Sequence, residues 1–319
     1  MMTLAIFPGQ GSQYVGMAGW LKDNFPRTRQ IFEEASEAIK LDLLELCLEG
    51  PESTLQLTFN AQPCILVTSF ACYSSLKEEF GFQPAAGAGH SLGEYTALLA
   101  AGAIQLSDAV RLVRRRGELM QDAVPEGQGK MAAVIGLADE AVKSLCAAAT
   151  HDENSLVVPA NYNAPNQVVI AGHTTAVERA EKLAADKSNP TFYARKVIPL
   201  KVSAPFHCPL MKKVAEGFEP YLTAVQWKKP CFPIAFNVDG TVRSSAELPL
   251  LKQQIDHPVL WTACVNSLSK LASVFIEPAP GRVLSGLVKR ILDDCKTCNV
   301  DNIEDFKLAG KVITGREDP

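Results

Sequence analysis

The segment Gly89-His90-Ser91-Leu92-Gly93 constrains this chain more than any other stretch, because it is compatible with very few local architectures. A serine flanked at two residues' distance by glycines can sit on a turn tight enough to lift its hydroxyl clear of the backbone, the nucleophile elbow between a strand and a helix. Both flanks fit that context. The run Gln83-Pro84-Ala85-Ala86-Gly87-Ala88 precedes it, and Leu92 to Ala101 is rich in alanine and leucine and stops at Gly102, as a short helix with a glycine terminator would. A serine hydroxyl is a poor nucleophile unless a base reaches it and a backbone N–H waits beside it, which is what such a turn provides. The plainer alternative is a glycine-rich β-to-α turn with a capping serine.

Composition narrows the setting of this turn. The 319 residues are 47% hydrophobic, enough for a large core in one large domain or two modest ones. The net charge of −4 and the scattered basic residues, apart from Arg114-Arg115-Arg116, leave no cationic stripe for nucleic acid. The start, Met1-Met2-Thr3-Leu4-Ala5-Ile6-Phe7, has no basic leader, and no stretch approaches a membrane span, so a soluble, cytoplasmic enzyme is expected. Nine cysteines without a framework are expected as reduced, mostly buried thiols. Cys295 and Cys298 form the one close pair, and no further ligands at suitable spacing accompany them, so no metal site is expected.

Along the chain, Leu4–Phe7 reads as a short buried strand ending in the glycine-rich loop Pro8-Gly9-Gln10-Gly11-Ser12-Gln13. That loop lacks the Gly-Lys-Ser/Thr ending of a phosphate loop; it is either a turn or a loop whose backbone N–H groups face the elbow. Helical periodicity covers about 27–49 and 61–80, and Ser107-Asp108 suit the start of a helix over 109–123. Pro125–Gly129 is a linker candidate. From Lys130 the order becomes strand (131–135), helix (139–149), strand (157–161), strand (167–171), helix (174–185) and strand (195–200). This β-α-β-β-α-β order is the ferredoxin-like arrangement, at its expected size of about seventy residues. The expected fold class is α/β: a large domain over 1–128 and 197–319, with a small ferredoxin-like subdomain inserted at 129–196. A strand at 274–277 and a helix at 282–293 belong to the large part.

Two further residues stand out by chemistry. Arg116 has Leu112, Val113, Leu119 and Met120 as its neighbours three and four positions away, so it points toward the core. A guanidinium there stays charged and needs an anion, either an internal carboxylate or a substrate carboxylate held by a bidentate clamp. Arg111 and Arg114 fall mainly on the polar side as solvated charges. Of the five histidines, His90 diverges from its neighbour Ser91, while His151 and His173 lie in the inserted segment. His207 follows a strand in Ser203-Ala204-Pro205-Phe206-His207-Cys208-Pro209, a loop stiffened by two prolines, and is preferred as a base over His257 in Asp256-His257-Pro258.

Nearly end to end, the chain resembles the malonyl-CoA:acyl carrier protein transacylase family, including its discrete polyketide-synthase members. The matching segments are Phe7–Gln13, Gly89–Tyr95, Arg116-Gly117, Asn163–Gly172, and His207-Cys208 followed by Leu210-Met211. The resemblance implies an α/β-hydrolase-like core carrying an inserted ferredoxin-like subdomain. It implies Ser91 as nucleophile, His207 as base, the backbone N–H groups of Gln10 and Leu92 as the oxyanion hole, and Arg116 as the group that takes the malonyl carboxylate. It implies a ping-pong reaction with malonyl-CoA as substrate, an acyl carrier protein as partner and no bound cofactor. A backbone carbonyl orients the histidine in this family, at a position often occupied by glutamine, and the matching residue is Leu260. Ala279 replaces a usual glycine.

Phe206 departs from the small residue frequent in the housekeeping bacterial enzymes and resembles the malonyl-selective polyketide enzymes. A ring there is expected to crowd an α-substituent, or else merely packs. Arg195-Lys196 is the expected docking site for an acidic carrier protein, with solvated surface charge as the alternative. A monomer is expected. Two other functions compete: an acyl hydrolase or thioesterase, which has no need of Arg116, and a non-catalytic subunit retaining the fold.

Overall fold

A computed structural model of the chain describes residues 2–125, 127–202 and 204–315. Its ten strands are β1 (Leu4–Phe7), β2 (Ala86–Gly89), β3 (Gly129–Ile135), β4 (Val157–Ala164), β5 (Gln167–His173), β6 (Lys196–Pro199), β7 (Ile234–Ala235), β8 (Val242–Arg243), β9 (Val274–Pro278) and β10 (Lys296–Val300). They form two sheets, one of six strands in the order β10-β9-β1-β2-β7-β8 and one of four in the order β4-β5-β3-β6. In the large sheet only the β7–β8 pair is antiparallel. β1 is fully buried and apolar throughout because helices cover both faces. Its alternating side chains divide accordingly, Ala5 and Phe7 entering one core cluster and Leu4 and Ile6 another.

The small sheet is antiparallel, and its strand order with two helices, Asp139–Ala149 and Thr174–Ala185, is the ferredoxin-like pattern. β3 is two-faced in the same way. Ala132 and Val134 pack on those helices, whereas Met131 and Ala133 join the core of the large part. The sheet is tied to the large part by β4, where the Tyr162 N–H donates to the Val259 carbonyl at 2.9 Å and the Val259 N–H donates to the Ala160 carbonyl at 2.9 Å.

Several boundaries differ from expectation for local reasons. The helix anticipated over 27–49 is two, Pro26–Ile39 and Leu43–Glu49, broken where Lys40 turns left-handed and Asp42 caps the second through the Glu45 N–H at 2.8 Å. The helix expected to open at Ser107 runs Leu106–Gln121, and Asp108 instead pairs with Arg111 at 3.2 Å. The expected cut at 196/197 falls inside β6, whose four residues all pair with β3. The linker and loop positions Glu126 and Ser203, and residues 316–319, lie outside the described residues.

Candidate active site

In parallel α/β sheets, sites collect at the carboxyl ends of the strands, and here the ends of β1 and β2 lie side by side. The chain leaves β2 into a turn with no room for side chains: a Cβ on Gly89 would lie 1.8 Å from the Gly93 carbonyl carbon, and one on Gly93 would lie 1.9 Å from the Phe7 carbonyl oxygen. Ser91 is held in this wedge at φ 52°, ψ −105°, a conformation costly for a residue with a side chain. It immediately precedes the helix Leu92–Ala100 but does not cap it, because its hydroxyl points elsewhere.

The Ser91 Oγ lies 2.7 Å from His207 Nε2. His207, also at positive φ (59°), places its Nδ1 2.7 Å from the Gln254 carbonyl oxygen. A carbonyl only accepts, so Nδ1 carries the proton and Nε2 presents its lone pair to the serine. Burial, and then the positive charge of Arg116, push the His207 pKa down to about 3, so the imidazole is neutral and ready to accept a proton.

The orienting carbonyl therefore belongs to Gln254 and not to Leu260. Gln254 closes the helix Leu248–Gln253, where carbonyls are left without helical partners. Leu260 precedes the helix Trp261–Ser269, and its carbonyl already accepts the Cys264 N–H at 3.0 Å in that helix's first turn. The side chain of Gln254 works in the same site, donating from Nε2 to the Ser91 carbonyl at 2.9 Å and accepting from Arg116 at 2.9 Å.

Arg116 is 1% exposed and reaches the serine, its Nη2 donating to Ser91 Oγ at 3.1 Å while Nη1 donates to Gln62 at 2.9 Å. No carboxylate among the described residues forms an ion pair with it. The buried carboxyl of Glu94 is pushed up by burial to about 8, the reverse of what an ion pair with Arg116 would do. The internal salt bridge that would satisfy this cation is thus absent among the described residues, and amide oxygens stand in its place. Arg111 is solvated with Asp108, but Arg114 is not simply a surface charge: it donates to the Phe59 carbonyl and to Asn60 Oδ1.

A cavity of about 340 Å³ opens over these groups. Gln10, Leu92, Ser91, His207, Arg116 and Phe206 all line it. The Leu92 N–H, first in its helix, and the Gln10 N–H find no acceptor among the described residues. Phe206 is 7% exposed against the cavity. Arg195 and Lys196 are exposed at the far end of β6. Lys196 pairs with Ile135, whereas the cavity is reached at Met131 and Leu200 on the opposite end of that strand pair. His90 turns away from the nucleophile, its Nε2 lying 2.8 Å from Asn163 Oδ1. Cys295 and Cys298 pack toward opposite faces of the large sheet, and the described residues contain no group of three or more His, Cys, Asp or Glu fit to hold a metal.

Sequence reasoning missed Gln62, Glu94, Asn237 and Gln254. Gln62 and Glu94 carry the same signal as Arg116, a polar side chain inside an apolar helical run. Asn237, in Phe236-Asn237-Val238-Asp239-Gly240, reads as an ordinary turn residue and offers no such signal.

A serine engaged by a neutral histidine, in a cavity floored by a cation that has no carboxylate partner among the described residues, suits the holding of an acidic acyl group as an ester, which is the chemistry of the serine acyltransferases. Residues 5–318 match the acyl transferase domain family, and the chain belongs to the malonyl CoA-acyl carrier protein transacylases within it. It is 42% identical over 316 residues to the malonyl CoA-acyl carrier protein transacylase of Bacillus subtilis (strain 168), covering 98% of both chains. Among solved structures it is similar to the malonyl-CoA:acyl carrier protein transacylase of Xanthomonas oryzae pv. oryzae, at 40% identity and a TM-score of 0.93, covering 98% of this chain and 99% of that one. A type II polyketide synthase malonyl-transacylase in complex with its acyl-carrier protein is also similar, at 40% identity and a TM-score of 0.92, covering 98% of this chain and 100% of the matched chain. No helix among the described residues is long and apolar enough to cross a membrane.

Proposed function

We propose that the chain moves a malonyl group from malonyl-CoA to the phosphopantetheine thiol of an acyl carrier protein, through an ester on Ser91. His207 takes the serine proton as Oγ attacks the thioester carbonyl, and returns a proton to the departing coenzyme A thiolate. The oxyanion of the tetrahedral intermediate is held by the N–H groups of Gln10 and Leu92, each such donor being worth about 3–4 kcal/mol in the transition state. In the second half the carrier thiol gives its proton to His207, attacks the ester and restores Ser91. No cofactor takes part. The observation that carries the choice of acyl group is Arg116, a buried guanidinium beside the nucleophile with no carboxylate partner among the described residues; a malonyl carboxylate supplies the missing charge.

The same reading assigns Phe206 to selectivity, its ring crowding any α-methyl group, and Arg195 and Lys196 to carrier-protein docking. It takes 1–128 and 200–319 as the catalytic part, 129–199 as the inserted part, and the working form as a cytoplasmic monomer. A single 34.5 kDa species in sedimentation is the expected result for the monomer. The test against a hydrolase compares malonate release with transfer to holo carrier protein. Transfer should dominate, and rapid malonate release without carrier would reject the transferase reading. Methylmalonyl-CoA should be turned over more slowly than malonyl-CoA, and Phe206→Ser should narrow that gap.

A further inference from the structure

The nucleophile is fixed from behind by a side chain outside the residues assigned above. Asn237 is fully buried just after β7, where the β2–β7 ladder has run out. Its amide group continues that ladder by hand: Nδ2 donates to the Gly89 carbonyl at 2.7 Å, and Oδ1 accepts the Ser91 N–H at 2.7 Å. The backbone of Asn237 is held in turn, its N–H donating to Glu94 Oε2 at 2.6 Å and its carbonyl accepting the Leu260 N–H at 2.8 Å. Glu94 lies on the elbow helix, so the clamp closes on the elbow from both sides.

We propose that Asn237 is a positioning residue for the nucleophile, whose amide locks the strained elbow so that Ser91 Oγ meets His207, with Glu94 holding Asn237 in place. By taking the Ser91 N–H for itself, Asn237 also leaves the Leu92 N–H as the elbow's donor toward the cavity. The inference rests on the reading of Ser91 as nucleophile. An amide is required because one end must donate and the other accept, which a carboxylate cannot do. The titratable groups around it are few. They are Glu94 from the elbow helix, itself in the field of Arg116, and the Cys264 thiol of the Trp261–Ser269 helix, 4.0 Å from Nδ2. On the side of β2 and the elbow it meets backbone, next to His90. Asp239 on its own turn is paired with Arg243 at 2.6 Å.

Asn237→Asp provides the test. Ionised, the new carboxyl repels the Gly89 carbonyl; protonated, it donates there and still accepts from Ser91. Single-turnover malonylation should therefore be about 100-fold slow at pH 8, the scale of a 1 Å misplacement, with KM for malonyl-CoA unchanged. The rate should recover as the pH falls, whereas the wild type shows no such rise. A wild-type rate at pH 8, or a deficit independent of pH, would overturn the proposal. If the variant does not fold, Glu94→Ala should slow malonylation at unchanged KM and Glu94→Gln should restore it; equal rates for those two would overturn it. Absence of a Ser91 adduct in the wild type would instead bring down the nucleophile reading, and this inference with it.

Discussion

Two parallel strands of the large sheet, β2 and β9, both run into a tight turn and a helix, yet the two turns are finished in opposite ways. After β9, the buried carboxyl of Glu277 accepts the Leu284 and Ser285 N–H groups at 2.9 and 2.7 Å, satisfying the start of the helix Val283–Ile291. After β2 no side chain does this: the Gly93 and Glu94 N–H groups donate to the His90 and Ser91 carbonyls at 2.9 and 3.1 Å, the Leu92 N–H beside the cavity has no acceptor among the described residues, and the serine backbone is strained. A capped helix start is a structural joint, whereas an open one beside a cavity is a donor kept for a ligand. The strain at the elbow is sustained by rigid surroundings, namely Gly89 and Gly93 against neighbouring backbone and Asn237 across the turn.

If the turns differ in this way, damage to each should register in different measurements. Ser91→Ala at the open turn should lower malonyl transfer by roughly 10⁶-fold, as loss of a nucleophile does, without reducing Tm. Arg116→Ala should cost about 10²–10³-fold in kcat/KM for malonyl-CoA, the worth of two charge-assisted hydrogen bonds, and should weaken discrimination against acetyl-CoA. Steady-state kinetics with both thioesters checks this, and an equal loss for each would remove the carboxylate role. At the capped turn, Glu277→Ala should lose about 1–3 kcal/mol of stability in denaturant unfolding, with single-turnover malonylation unchanged.

The pH behaviour gives the smaller effects. With His207 held near 3, kcat/KM should pass through pH 6.5 on acidification without the step an ordinary histidine base would impose. Stability follows the opposite sense in two windows. Unfolding lets His207 bind a proton it refuses when folded, so its contribution to stability grows as the pH rises from about 3 to 6.5. Glu94 and Glu277, with pKa values raised from 4.5 to about 8 and about 7, keep protons that the unfolded chain releases, so their contribution is lost as the pH rises through those values. Between pH 6.5 and 8 only the carboxyl effect of these three remains. Glu94→Gln with Glu277→Gln should flatten the decline in Tm there.

Ser91, Arg116 and His207 could be picked from the sequence because each is out of keeping with its surroundings: a serine between glycines, a cation on an apolar face, a histidine between prolines. The alternation of strands and helices in 129–199 was equally legible, since its two amphipathic helices end where they were expected. Asn237 and Gln254 were hidden for a physical reason. Their roles arise from where β7 and the helix Leu248–Gln253 end in space, and Gln254 acts on His207 through its backbone, which no side-chain pattern records. The misplacement of the orienting carbonyl at Leu260 has the same origin, because which carbonyl is free depends on where one helix stops and the next begins.

The most direct test of the open, substrate-facing elbow is intact-protein mass spectrometry after brief exposure to malonyl-CoA, followed by a chase with holo acyl carrier protein. The account predicts a single malonyl adduct that is absent from Ser91→Ala, diminished in Arg116→Ala and passed to the carrier. No adduct, or one that decays at the same rate with and without carrier, would contradict it.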